Sequence, residues 1–138
     1  MADADITTNV HCEIEKTATG IHIYRVLRAT RRAVEEGAAY YRHQRNHHYT
    51  VDDPMLFLFD LRPDGFPPLT HTYHLFKNLF QDYPMPKGSR AAYLLAENHP
   101  MVSVATSFFE LLRLGTRRRF FYGEDSEHRA LAFLLQED

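Results

Sequence analysis

The stretch PMLFLFDLRPDGFPPLTHTYHLFKNLFQD, Pro54 to Asp82, decides the fold. Met55 to Phe59 is an unbroken apolar run that ends at Asp60. So short a run without polar alternation suits a strand covered on both faces, the central strand of an α/β sheet. Arg62-Pro63-Asp64-Gly65 then signals a turn, and Pro67-Pro68 cannot continue a strand. Beyond it Leu69, Tyr73, Phe76, Leu79 and Phe80 recur at helical spacing. The reading is strand, loop, helix, with the loop at the carboxyl end of a buried strand. In open α/β sheets that edge is where sites usually sit.

Upstream, residues 1–9 read as a frayed lead-in. Val10 to Lys16 alternates, with Val10, Cys12 and Ile14 on one side and His11, Glu13 and Glu15 on the other, which predicts a half-buried strand. Thr17-Ala18-Thr19-Gly20 is a short turn, and Ile21 to Leu27 a second strand, with Ile21 and Ile23 facing away from His22 and Tyr24. So short a connection predicts an antiparallel hairpin. Thr30 is placed to cap a helix running to about His48, whose inner stripe is Ala33, Val34, Gly37, Ala38, Tyr41 and Gln44 or Arg45. Asn46 to Asp53 is a polar connection.

Downstream, Pro84-Met85-Pro86-Lys87-Gly88 breaks the chain, and Arg90 to Ala96 holds another buried apolar run. Asn98-His99-Pro100 opens a helix, with Asn98 as its expected cap and Val102, Ala105, Phe108, Phe109 and Leu112 on its core face. Gly115 is its expected terminator. Arg117 to Tyr122 is a last strand, and a short helix follows with Ala130, Leu131, Phe133 and Leu134 inward. The order β-β-α-β-α-β-α-β-α predicts one α/β domain spanning residues 1–138. Its sheet is mixed and mostly parallel, with an antiparallel hairpin at the N-terminal end.

Composition sets the outer limits. The 138 residues are 44% hydrophobic and 25% charged, which suits one globular core. A net charge of −2 gives no general reason to expect nucleic acid or an anionic membrane. The single cysteine, Cys12, forms no internal disulfide and points to a reducing compartment. No run approaches about 18 apolar residues and no secretory signal is visible, so a cytoplasmic protein without a membrane span is expected.

The order of elements, together with three local features, resembles the STAS domain of bacterial anti-sigma-factor antagonists and related Sec14-like proteins. These features are the strand ending Phe59-Asp60-Leu61, the helix start Asn98-His99-Pro100-Met101-Val102, and the closing helix with Glu127, Ala130 and Leu131. The resemblance spans about Val10 to Gln136. It implies a non-enzymatic, regulatory protein-interaction module, with a serine or threonine near the start of the helix after the central strand as a phosphorylation switch. Here that position falls at Thr70, with Thr72 close by, in the sequence Pro68-Leu69-Thr70-His71-Thr72. The leading aspartate and closing glycine of the family motif are absent. The interaction surface expected from position is the loop and helix start carrying Asp60, Arg62, Asp64, Phe66, Thr70 and Thr72. A protein partner is expected, and self-association as a homodimer is compatible. The alternative is a small-molecule or lipid carrier with an apolar pocket between helix and sheet.

Other chemistry finds less support. Asp60 lacks the further acidic residues that a receiver-type phospho-acceptor needs to hold magnesium. His43 with His47, and His71 with His74, place imidazoles on one helix face, but neither pair has a third ligand at fixed spacing, so no tight metal site is expected. No serine lies in a G-x-S-x-G elbow, and Cys12 sits on an apolar strand face. No cofactor is expected. Tyr73, Phe76, Phe80, Phe108 and Phe109 read as core. Alternation sends Arg117 and Arg119 one way and Arg118 the other, as in a solvated strand end.

Overall fold

A computed structural model describes residues 11–47, 53–112 and 116–136. Expectations for the lead-in, Val10, His48 and Gly115, and for most of the connection after the first helix, lie outside the described residues. The elements are β1 (Cys12–Lys16), β2 (Ile21–Val26), α1 (Arg31–His47), β3 (Leu56–Asp60), α2 (Leu69–Asp82), β4 (Arg90–Leu95), α3 (Met101–Leu112), β5 (Arg117–Tyr122) and α4 (Ser126–Leu135). The five strands form one sheet in the order β1-β2-β3-β4-β5. β1 and β2 are antiparallel and the remaining neighbours are parallel. The apolar run at Met55 to Phe59 does supply the central strand, and Leu58 is 1% exposed.

Strand order follows chain order, so each right-handed crossover steps the same way across the sheet. Three successive connecting helices therefore share one face. α1, α2 and α3 cover the face that carries Tyr24, Phe57 and Tyr93. α4 comes after the last strand and covers the other face, where Ala130 and Leu134 meet Ile23, Leu58, Leu94 and Phe121.

Local chemistry explains most boundaries. Thr30 Oγ1 accepts the Ala33 N–H at 3.2 Å and caps α1, as its position predicts. Ala33, Val34, Ala38, Tyr41 and Gln44 form the buried stripe of α1. Gly65 takes φ +78 and returns its N–H to the Leu61 carbonyl at 2.8 Å, turning the chain out of β3. Pro68 then stands at the N-cap of α2. One cap differs from the sequence reading. α3 starts with the Met101 N–H donated to His99 Nδ1 at 3.0 Å, so His99 is the capping residue rather than Asn98. Neither Thr70 nor Thr72 caps α2; the Thr72 hydroxyl donates backwards to the Pro68 carbonyl at 2.7 Å. Among the described residues no helix is long and apolar enough to cross a membrane.

Phe57 lies at the centre of this arrangement. It is 4% exposed and stacks on His22 and Phe59, with ring centroids 5.1 and 5.6 Å away. Phe57→Ala is expected to lower stability by about 3–5 kcal/mol in urea denaturation. Amide exchange in the wild type should be slowest in β3 and β4.

Candidate functional site

Two regions compete as a site: the carboxyl edge expected from the sequence, and a cavity under α1 to α3. At the edge, most of the expected side chains are engaged within the chain. Asp60 is 4% exposed. Its carboxylate accepts Arg62 Nε at 2.9 Å and Arg62 Nη2 at 2.9 Å, a forked pair, and Arg25 Nε stands 3.6 Å away. Arg25 reaches on to Glu15 at 2.7 Å, and Arg62 to Glu127 at 2.9 Å. This chain of charges ties the ends of β1, β2 and β3 to the first turn of α4. Asp64 Oδ2 accepts the Ala29 N–H at 2.7 Å and so joins the β3–α2 loop to the β2–α1 loop. Phe66 turns inward, 5.5 Å from the His99 ring and 6.0 Å from Phe120, and is half-buried rather than an exposed anchor. Thr70 is exposed.

The cavity measures about 120 Å³ and lies between the sheet and the three helices. Its floor follows strand register, with Tyr24, Phe59 and Tyr93 reaching the lining. Tyr24 pairs with Phe59, Phe59 with Tyr93, and Tyr93 with Phe120, so one aromatic residue from each of β2 to β5 falls on a single line across the sheet. Neighbouring centroids along it are 6.1, 5.0 and 5.0 Å apart. The adjacent line is His22, Phe57, Ala91 and Arg118. Ala91 is the small member, next to large ones. Tyr40, Tyr41, Phe76, Phe80, Phe108 and Phe109 close the cavity from the helices.

Thr72 also lines the cavity, and two polar pairs border it. His22 is fully buried, and its Nδ1 is hydrogen-bonded to the Tyr40 hydroxyl. At the other end of the same line, the Arg118 guanidinium donates to the Tyr93 hydroxyl at 2.6 Å and lies 4.6 Å over the Phe109 ring. The alternation seen in the sequence holds, because Arg117 lies over Phe133 and Arg119 over Phe121 on the opposite face. The reading of Arg118 as part of a solvated end does not hold. It is half-buried and points into the cavity's lining.

Burial holds two titratable groups of this core in their protonated forms. Burial pushes the Cys12 thiol up to about 11, and the thiol donates to Glu36 Oε2 at 3.6 Å, so the thiolate is scarce at neutral pH. Burial pushes Tyr41 up to about 12, and its hydroxyl donates to the Tyr83 carbonyl at 2.8 Å. Among the described residues no three metal-ligating side chains gather in one place. The rings of His43 and His47 lie 4.4 Å apart, and His71 faces Glu35 at 3.5 Å.

Reading by segment missed the cavity floor because its members come from four strands and meet only through register. The visible signal was the inward position of Tyr24, Phe57, Phe59 and Tyr93, each large and aromatic.

Two stability outcomes follow from this geometry. Burial alone would raise the Asp60 carboxyl, but the hydrogen bonds and charge of Arg62, with the charge of Arg25, hold it below its ordinary value of 3.8. A folded value below the unfolded one stabilises the fold above that range and loses effect as pH falls through the folded value. Asp60→Asn should therefore lower stability by about 1–3 kcal/mol at pH 7. The gap to wild type should shrink below about pH 4 in urea melts across pH 3 to 7. Separately, a Cβ at Gly37 would sit 3.0 Å from Tyr24 Cζ and 3.1 Å from its hydroxyl oxygen. The Tyr24 hydroxyl is itself held by the Ala33 carbonyl. Gly37→Ala should thus destabilise by about 1–3 kcal/mol in urea denaturation, although alanine favours the helix by about 1 kcal/mol.

The chain matches no known protein-family model, and neither the curated proteins nor the solved structures include a significant match to it.

Proposed function

We propose that the chain is a non-enzymatic binding domain that holds a small apolar molecule between the sheet and α1 to α3. The observation that carries this reading is the aromatic cavity of about 120 Å³. Interiors normally pack without voids larger than a water molecule. The apolar lining here offers water few hydrogen-bond partners, so a ligand entering the cavity gains contacts without displacing well-bonded water. Aromatic walls add offset and edge contacts worth about 0.5–1.5 kcal/mol per pair. Cys12 and the engaged carboxylates offer no group poised for turnover, which favours binding over catalysis.

A second reading, a regulatory protein-interaction module, draws on one observation. Thr70 is exposed in the first turn of α2, where the helix dipole accommodates added negative charge. Against it, Asp60, Arg62 and Asp64 are bonded within the chain and Phe66 packs inward.

The two readings separate in one set of measurements. Ala105 is 1% exposed and lines the cavity, so Ala105→Leu should fill it. Toluene titrated by NMR should shift signals of Phe59 and Tyr93 in the wild type and bind at least about tenfold weaker, or about 1.4 kcal/mol, to Ala105→Leu. The variant should melt at the same temperature or higher. Equal binding by both proteins, or none by the wild type, would overturn the pocket. A stoichiometric protein partner lost on Thr70→Glu would favour the interaction module instead.

A further inference from the structure

We propose that the cavity takes a small monocarboxylate with an apolar, single-ring or short-chain body, its carboxylate received by the Arg118 guanidinium and the Tyr93 hydroxyl. This inference rests on reading the cavity as a ligand pocket and names the chemical class of its occupant.

Charge is the first argument. Arg118 is half-buried in an aromatic wall, and no carboxylate among the described residues forms an ion pair with it. Its protein contacts are the Tyr93 hydroxyl and the face of Phe109. Three other arginines find anionic or carbonyl partners. Arg25 meets Glu15, Arg62 meets Asp60 and Glu127, and Arg90 donates to the Phe133 and Gln136 carbonyls. A guanidinium carries five N–H donors in a planar fork, and one contact at Nη1 leaves most of that fork uncommitted.

The second argument is the Tyr93 hydroxyl. It accepts from Arg118, so its own proton remains to be donated. Tyr93 is 8% exposed, and its only described hydrogen bond is this one. A buried tyrosine hydroxyl usually finds a partner for its proton. Burial raises Tyr93 above its ordinary value, an effect that Arg118 only partly offsets, so the hydroxyl stays protonated and a donor. Guanidinium and hydroxyl thus present adjacent donors to one acceptor. A carboxylate, planar with two oxygens, matches the guanidinium fork.

Size is the third. A cavity of about 120 Å³ is close to the roughly 150 Å³ apolar cavity that holds a benzene ring. A ring or short chain lying there would meet Phe59 and Tyr93 while its carboxylate stays at Arg118.

The test pairs acids with neutral isosteres. Benzoate, phenylacetate and hexanoate are titrated by calorimetry against benzamide, 2-phenylethanol and hexanol at pH 7. At least one acid should bind wild type tenfold or more tighter than its neutral partner. Arg118→Gln should weaken that acid at least tenfold and leave the neutral partner within about twofold. Tyr93→Phe should weaken the acid by a smaller factor, and Arg118→Lys should recover part of the loss. The wild-type comparison stands even where a variant fails to fold. If the neutral isosteres bind as tightly as the acids, the pocket survives and this assignment is overturned. An acid preference that persists in folded Arg118→Gln overturns it too. If neither class binds and toluene does not bind either, the pocket reading falls with it.

Discussion

The line of aromatic rings across β2 to β5 sets the distance between the sheet and the helices above it. Tyr24, Phe59, Tyr93 and Phe120 stand side by side because parallel register aligns them, and their rings fill the layer between strands and α1 to α3. Large rings in one layer hold helix backbones off the sheet wherever the helix does not present a small residue. Gly37 marks the place where Tyr24 and α1 touch, and there only the lack of a Cβ permits the approach. Elsewhere the rings cannot close the gap fully, and the cavity remains. The three helices also pack against one another, α1 on α2 and α2 on α3.

The opposite face solves the packing problem differently. Ala92, Leu94 and Leu58 present small and aliphatic surfaces, and α4 lies directly on β3, β4 and β5. Charged groups then pin this helix at both ends. Glu127 in its first turn takes Arg62, and the carbonyls at its last turn take Arg90, a cation at a helix C-terminus where the dipole favours it. Arg129 adds a bond back to the Tyr122 carbonyl at 2.7 Å. The carboxyl-edge network of Glu15, Arg25, Asp60, Arg62 and Glu127 therefore serves the close-packed face. That leaves the looser face to provide space.

This division sets a densely packed face against a looser one within one small domain. A dense face with satisfied ion pairs supports a face that retains a void. Such a void is tolerable only where the rest of the fold contributes a surplus, since native stability is commonly about 5–15 kcal/mol. The polar groups bordering the void follow the same logic. His22 is matched by Tyr40, whereas Arg118 and Tyr93 are matched mainly by each other. Guanidinium and hydroxyl are both donors, so that pair leaves an acceptor's place beside the apolar space.

The order of elements, the central strand at Met55 to Phe59, the N-terminal hairpin and the Thr30 cap were legible in the sequence, because each rests on local periodicity or on a residue's own backbone chemistry. Even the opposed directions of Arg117, Arg118 and Arg119 could be read from strand alternation. What lay on either side of those directions could not. Register decided that Phe59 falls beside Tyr93 and Ala91 beside Arg118, and register is set by pairing between segments about 30 residues apart. The α3 cap shows the same limit at short range. Asn98 and His99 both carry suitable acceptors, and only the path of the loop into α3, with His99 beside Phe66, brought the imidazole to the Met101 N–H. Tertiary packing likewise turned Phe66 inward and engaged Asp60 and Arg62 within the chain. Local pattern tells which way a side chain points, and the burial and partners that make a site depend on strands that are neighbours only once the chain has folded.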